Sequence, residues 1–412
     1  MLRNFRPWLV RAAFGALTFA LAFSVAAAGP KAYVGNFKDS TVSVIDTGSG
    51  AVVATIPVAA GPHGMGVTPD GRAVYVSGEG SSDVSVIDTV SDRVTGTITV
   101  GKTPHGMAMA ADGRMLLVGV YGEDKVVFVD TATKQVVGSV PVPKPHTIAI
   151  RPDGKLAYVS SQEPGKFALF VVDMATRTVV RTLPLEKTPR DLEFGYDGKA
   201  LYFTMAGINA VQVLDPASDK IVAEIPTGAS PHIANYFRGA PAGTVVVQGP
   251  GELTLFNPAT NTVLRSIAVG KQPHWVAASG DGKSAYVTNE GSNDVTVVDL
   301  ATGQTKTIAV GNAPRKVVVQ RAAASTAAAE ARISIANFAF VPPEITVVAG
   351  QNVTWANDDG APHGLVYKDG AKGTDLLLPG KTFSRTFDKP GTYDYACSVH
   401  PYMMGKVVVS AR

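Results

Sequence analysis

The chain of 412 residues has one cysteine, Cys397, so no disulfide can form within it. It also lacks a charge excess: 37 Lys and Arg meet 34 Asp and Glu, a formal net of +3. That balance argues against a nucleic-acid binder, which concentrates basic charge on one surface. Long apolar runs are missing too, with one exception. Residues 12–28, AAFGALTFALAFSVAAA, follow Arg3, Arg6 and Arg11 and end in the small residues Ala26, Ala27 and Ala28. This is the plan of an export signal with Gly29 as the mature start, and the run is short for a spanning helix. The expectation is a signal peptide over 1–28, a periplasmic or secreted protein, and no stable membrane insertion after cleavage. In an oxidising compartment a lone thiol is a liability unless buried or bound. Cys397 therefore needs an explanation.

What is abundant is Gly, Pro and short runs of Val, Thr and Tyr, a mix that favours many short strands joined by tight turns. The runs repeat. Pro-His or Pro-Arg occurs at Pro62-His63, Pro104-His105, Pro145-His146, Pro189-Arg190, Pro231-His232, Pro273-His274 and Pro314-Arg315. An acid or amide keeps the same beat at Asp46, Asp88, Asp130, Asp173, Asp215, Asn257 and Asp299. Asp-Gly turns follow five of the pairs, and the sixth repeat substitutes NYFRGAPAGTVVV. Within one unit, GMGVT, AVYVS, DVSVI and RVTGTITV alternate apolar and polar residues, which predicts four strands. A period near 42 residues with four strands per unit predicts the blades of a β-propeller. The mature chain opens in mid-unit and RKVVVQ, 315–320, supplies the missing first strand. Both ends then close a seven-bladed ring with no free edge.

AYVTNEGSNDVTVVD, 285–299, and VTPDGRAVYVSG resemble the YVTN-repeat family of propellers, over roughly residues 31–320. The resemblance implies fold more than function. Its geometry implies that the Pro-His and Pro-Arg pairs ring one mouth of the central channel. The candidate ligand ring is His63, His105, His146, Arg190, His232, His274 and Arg315, with Glu79, Glu123, Glu163 and Glu290 on nearby loops. Five imidazoles, two guanidiniums and carboxylates suit a metal or an anionic ligand. Duplication of a repeat also produces such a ring without any ligand, and arginine does not ligate metals.

An Ala-rich linker, 321–332, separates the propeller, 29–320, from a last segment, 333–412, whose seven short strands predict a β-sandwich. The whole is therefore an all-β chain. The sandwich holds CSVHPYM. A copper that shuttles one electron takes one thiolate, two imidazoles and a weak thioether. C-x-x-H-x-x-M offers three of these, and His363 is the other histidine of the segment. A closed zinc site would take four strong ligands. FVPPEITVVAGQNVTWANDDGAPHG and GTYDYACSVHPYMMGKVVV resemble amicyanin and related cupredoxins. The resemblance implies one type 1 copper on His363, Cys397, His400 and Met403. It also implies a docking patch of Pro362, Pro401, Tyr402 and Met404, and a redox protein partner such as a c-type cytochrome or a periplasmic dehydrogenase. Gly364, with no side chain, stands where the family has an Asn that braces the ligand loops by hydrogen bonds, so the potential and rigidity of the site are expected to depart from the family's while copper binding is kept.

The leading expectation is an exported electron carrier with the propeller as docking or ligand-binding platform. The alternatives are a propeller-based redox enzyme with the layout of nitrous-oxide reductase, a lactonase-like hydrolase, and a copper carrier. A lone cysteine already excludes the paired-cysteine copper centre of nitrous-oxide reductase. No nucleophile with its base is visible in the repeats.

Overall fold

The computed structural model describes residues 30–320, 331–368, 370 and 373–410. The expected signal peptide, and the linker except for its last two residues, lie outside the described residues. Among the described residues every regular element but one short 3-10 turn is a strand.

Seven four-stranded antiparallel sheets make the propeller. Six use consecutive strands, as in Pro62–Val67, Ala73–Gly78, Asp83–Asp88 and Arg93–Thr99. In the seventh, Pro314–Val319 pairs antiparallel with Lys31–Asn36, so the two ends of the region share one sheet. Each inner strand lies against the inner strands of both neighbouring blades, and the ring is closed. Burial follows from this position. Second and third strands are buried nearly throughout, whereas outer strands such as Arg93–Thr99 bury one residue in seven. A strand covered on both faces by neighbouring blades reads as a near-continuous apolar run, while an outer strand needs only one anchor.

The periodic acids cap turns. Asp46, Asp88, Asp130, Asp173 and Asp299 each accept the N–H of the residue three positions on, at 2.7–2.8 Å. The Thr and Asn of YVTN have separate tasks. Thr288 Oγ1 donates to the carbonyl of Arg315 in the next blade at 2.9 Å, while Asn289 Nδ2 donates within its own blade to Asp294 and Thr296. Ser77 and Thr204 repeat the Thr288 contact to the carbonyls of His105 and His232. Where the repeat carries Ser or Thr at this position, the hydroxyl thus fastens a blade to the backbone of the next ring residue.

The C-terminal region is a two-sheet sandwich. One sheet orders Ala339–Val341, Ala331–Ala336, Gln351–Asn357 and Thr382–Phe387. The other orders Glu344–Val348, Met404–Ser410, Gly391–Ala396, His363–Tyr367 and Thr374–Leu377. Between them lies an aromatic core in which Trp355 meets Tyr395 edge to face at 5.3 Å, with Phe340, Tyr367 and Phe387 around them. Gly405 is required here, because any Cβ at this position would collide with the Tyr395 ring.

Candidate metal centres

The sandwich brings its expected donors together at one end. Strand Gly391–Ala396 stops just before Cys397, and Met404 starts the returning strand. The intervening loop is tight: Cys397 N–H donates to the Met403 carbonyl at 3.0 Å, and Met403 N–H to the His400 carbonyl at 2.9 Å. His363 opens its own strand. Cys397, Met403 and His363 are all buried, and His400 is half-buried.

Three donor atoms form a near-equilateral triangle. Cys397 Sγ lies 3.6 Å from His363 Nδ1 and 3.7 Å from His400 Nδ1, and the two Nδ1 atoms are 3.3 Å apart. A point in their plane sits roughly 2 Å from all three, close to metal–imidazole and metal–thiolate bond lengths. His400 N–H also points at Cys397 Sγ, 3.4 Å away. The residues therefore fit a thiolate–imidazole metal site.

Asp359 is the residue that sequence reasoning missed. Its Oδ2 lies 2.9 Å from His363 Nε2, so the ring is turned with Nδ1 toward Cys397. The same carboxylate accepts the N–H groups of Asn337, at 2.6 Å, and Phe338, at 2.9 Å. Both of these residues have left-handed backbone, at φ 52° and 55°. Burial pushes the Asp359 pKa up, but the two backbone N–H groups and His363 outweigh it and hold the carboxyl below its usual range. Fully buried Asn357 contributes a second brace, donating to the carbonyls of Ala361 and Leu377. Asn357 and Asp359 thus hold the His363 side of the site in place. The only signal for them was a polar pair, Asp358-Asp359, a few residues before the histidine.

Phe338 was missed as well. Its ring lies edge-on to both His363, at 5.6 Å, and His400, at 5.0 Å, while remaining 45% exposed. With Tyr402 and Met404, which are more exposed still, and with exposed Pro362 and Pro401, it gives this end of the sandwich an apolar surface.

Residues 327–410 match the model of copper-binding proteins of the plastocyanin/azurin family. Amicyanin-alpha of Methylorubrum extorquens is 41% identical over 87 residues, 20% of this chain and 73% of the relative. The chain belongs to this copper-binding family. Amicyanin of Paracoccus denitrificans is 38% identical over 93 residues, 21% of this chain and 71% of the relative. The C-terminal region is accordingly a cupredoxin, a copper-binding electron-transfer domain. A YNCE-like β-propeller model matches residues 14–113. In fold, 69% of the chain superposes on 99% of a chain from Kuenenia stuttgartiensis hydrazine synthase, with TM-score 0.59 and 22% identity. Likewise, 71% superposes on 97% of apo AztD from Citrobacter koseri, with TM-score 0.54 and 16% identity.

The propeller holds a second cluster. His63, His105, His146, His232 and His274 line one small cavity at the starts of the inner strands, together with Thr147, Asp191, Trp275 and Lys316. Their rings touch in series: His63–His105 at 3.8 Å, His105–His146 at 4.2 Å and His232–His274 at 4.1 Å between centroids. Arg190 and Arg315 occupy the remaining two positions but are engaged elsewhere. Arg190 donates to Ser230 Oγ and Gln248 Oε1, and Arg315 meets Glu79 and Glu290. Of the four loop glutamates, Glu79 and Glu290 thus reach the ring. Glu123 pairs instead with Lys125 and Glu163 with Lys166.

Close packing at the ring depends on glycine. A Cβ on Gly64 would strike the His105 carbonyl, and one on Gly106 the His146 carbonyl. That is the physical reason for Pro-His-Gly at the first two positions.

Proposed function

We propose that the protein is an exported electron carrier whose copper is held by His363, Cys397, His400 and Met403, with the propeller as its docking or ligand-binding platform. The observation that carries the reading is the triangle of Cys397 Sγ, His363 Nδ1 and His400 Nδ1, with sides of 3.3–3.7 Å. When bound at such a site, copper takes up and gives back one electron.

The chain's own residues do the rest. Cys397 supplies the soft thiolate, and His363 and His400 the imidazoles. Met403, buried in the sandwich core, supplies the weak thioether. Asp359 and Asn357 lock the His363 side, so little has to move when charge at the centre changes. A full set of protein donors leaves no open position for a substrate, which favours carriage over catalysis. Electrons would pass by way of His400, the half-buried ligand, between exposed Phe338 and Tyr402. The apolar surface of Pro362, Pro401, Tyr402 and Met404 would receive the partner, a c-type cytochrome or a periplasmic dehydrogenase. Export rests on the leader-like residues 1–28, and no helix among the described residues is long and apolar enough to cross a membrane.

Metal counting with optical and paramagnetic-resonance spectra tests the reading. One copper per chain and an intense blue colour on oxidation are expected, with the colour lost in Cys397→Ser. Colour that survives that substitution would overturn the ligand assignment. A colourless protein that hydrolyses lactones would overturn the function.

A further inference from the structure

We propose that the mouth of the propeller channel binds one divalent ion of the zinc class through the imidazoles of His63 and His105 and the carboxylate of Glu79. This deepens the reading of the propeller as a ligand-binding platform and stands apart from the copper reading.

One ligand atom from each of these three residues lies within 4.8 Å of the other two. Donors bound to one ion stand ~3.4 Å apart, so closing the site takes only side-chain rotation of the kind a flexible glutamate allows. Two imidazoles and a carboxylate with an open position form an ordinary donor set for zinc. The cavity beside them, about 40 Å³, has room for an ion's water ligands.

The tautomers favour a cation. His105 Nδ1 lies 3.0 Å from the His146 carbonyl, His146 Nδ1 3.2 Å from the Arg190 carbonyl, and His274 Nδ1 3.0 Å from the Arg315 carbonyl. A carbonyl only accepts, so each Nδ1 carries the proton and each Nε2 keeps its lone pair. Metal-bound histidines are held in the same way, by a second nitrogen donating to backbone carbonyl or carboxylate. His63 makes no ring hydrogen bond among the described residues, so both of its nitrogens remain available. Burial, then the neighbouring imidazoles, holds His63 well below the usual histidine range, and burial with His146 brings His105 down to about 3.

An anion is the poorer occupant. The two guanidiniums that would attract it are already occupied and lie outside the cavity lining, and Lys316, which does line it, stands over the Trp275 ring at 3.6 Å. Arg315 touches only Oε2 of Glu79, at 3.5 Å, and Oε1 makes no hydrogen bond among the described residues. Glu79 therefore keeps one oxygen for the ion.

The test titrates the full chain, its blue site already loaded with copper, with zinc by calorimetry, followed by metal counting. One zinc per chain beyond the copper is expected, with the blue absorption unchanged. His63→Ala with His105→Ala should weaken uptake about 100-fold or more, and Glu79→Gln about 10-fold or more. If the alanine pair fails to fold, His63→Gln with His105→Gln keeps the polar packing and is held to the same expectation. No zinc beyond the copper, unchanged uptake in the double variant, equal uptake of magnesium, or binding of inorganic phosphate in place of zinc would each overturn the proposal. Zinc binding that persists in Cys397→Ser, or blue colour that persists in His63→Ala/His105→Ala, separates failure of one site from failure of the other.

Discussion

The two histidine clusters use opposite nitrogens. In the sandwich, His363 and His400 turn Nδ1 toward Cys397, and Asp359 takes the Nε2 of His363. In the propeller, His105, His146 and His274 give Nδ1 to a carbonyl of the next blade and leave Nε2 to the channel. The sandwich donors are already at ligand spacing, 3.3–3.7 Å, whereas those at the channel mouth lie within 4.8 Å. The difference teaches how each cluster is held. A carboxylate four residues before His363 and the short loop from Cys397 to Met403 fix the sandwich donors. Packing of similar inner strands around the ring, with Ser77, Ser160, Thr204 and Thr288 fastening four blades to the next, holds the propeller cluster.

The largest expected effect separates the two regions altogether. Trp355 is fully buried at the centre of the sandwich. Trp355→Ala should cost about 3–5 kcal/mol, enough to unfold a domain of this size. Calorimetry should show the sandwich transition collapse together with the blue colour while the propeller transition stays in place. A single shifted transition would mean that the two regions fold as one.

The ring is braced from inside by Asp191, which accepts from Thr147 Oγ1 at 2.8 Å and lies 2.7 Å from His232 Nδ1. Burial alone would raise its pKa, but the charge and hydrogen bond of His232 outweigh it and hold the carboxyl well below the usual range. A carboxyl depressed in the folded state adds stability above its unfolded pKa and loses it as pH falls through the folded value. Asp191→Ala should therefore destabilise the propeller by about 3 kcal/mol at pH 7, read as a lower unfolding midpoint. The difference from wild type should shrink progressively below about pH 4. A constant difference across pH would assign the loss to packing instead.

Next comes the brace of the copper side. Asp359→Ala removes the acceptor of His363 Nε2 and of two backbone N–H groups. Copper affinity should fall 10–100-fold with the blue colour retained, measured by competition with a chelator. Wild-type affinity in this variant would show that Asn357 alone suffices. Smallest is a single turn cap. The hydroxyl and then the N–H of Ser91 hold Asp88 below its usual pKa. Asp88→Asn should lower the propeller midpoint only slightly at neutral pH and progressively less as pH falls below about 4, because the acid's contribution fades as it protonates.

Much of this was legible in the residues. The 41- to 44-residue beat of the Pro-His and Pro-Arg pairs predicts the blades, because strand and turn signals act within a few residues of one another. RKVVVQ predicts the closing strand, and Pro314–Val319 is found paired with Lys31–Asn36. CSVHPYM and His363 predict the three donors that meet. Other residues gave no such signal. Asp359 is one acid among 34 acidic residues, Phe338 one of 16 phenylalanines, and neither belongs to a motif. Glu79 and Glu123 occupy equivalent loops, yet only Glu79 reaches the ring. Arg315 draws Glu79 inward, and Lys125 draws Glu123 away.

The sequence by itself determined the number of blades, the sandwich and the kinds of donor atom, since periodicity and ligand spacing are local properties of the chain. Tertiary structure alone decided which nitrogen of each histidine is free and which carboxylate braces His363. It also decided which glutamate approaches the channel. Those choices depend on partners contributed by a neighbouring blade or by a separate turn, and their distances exist only once the sheets have packed.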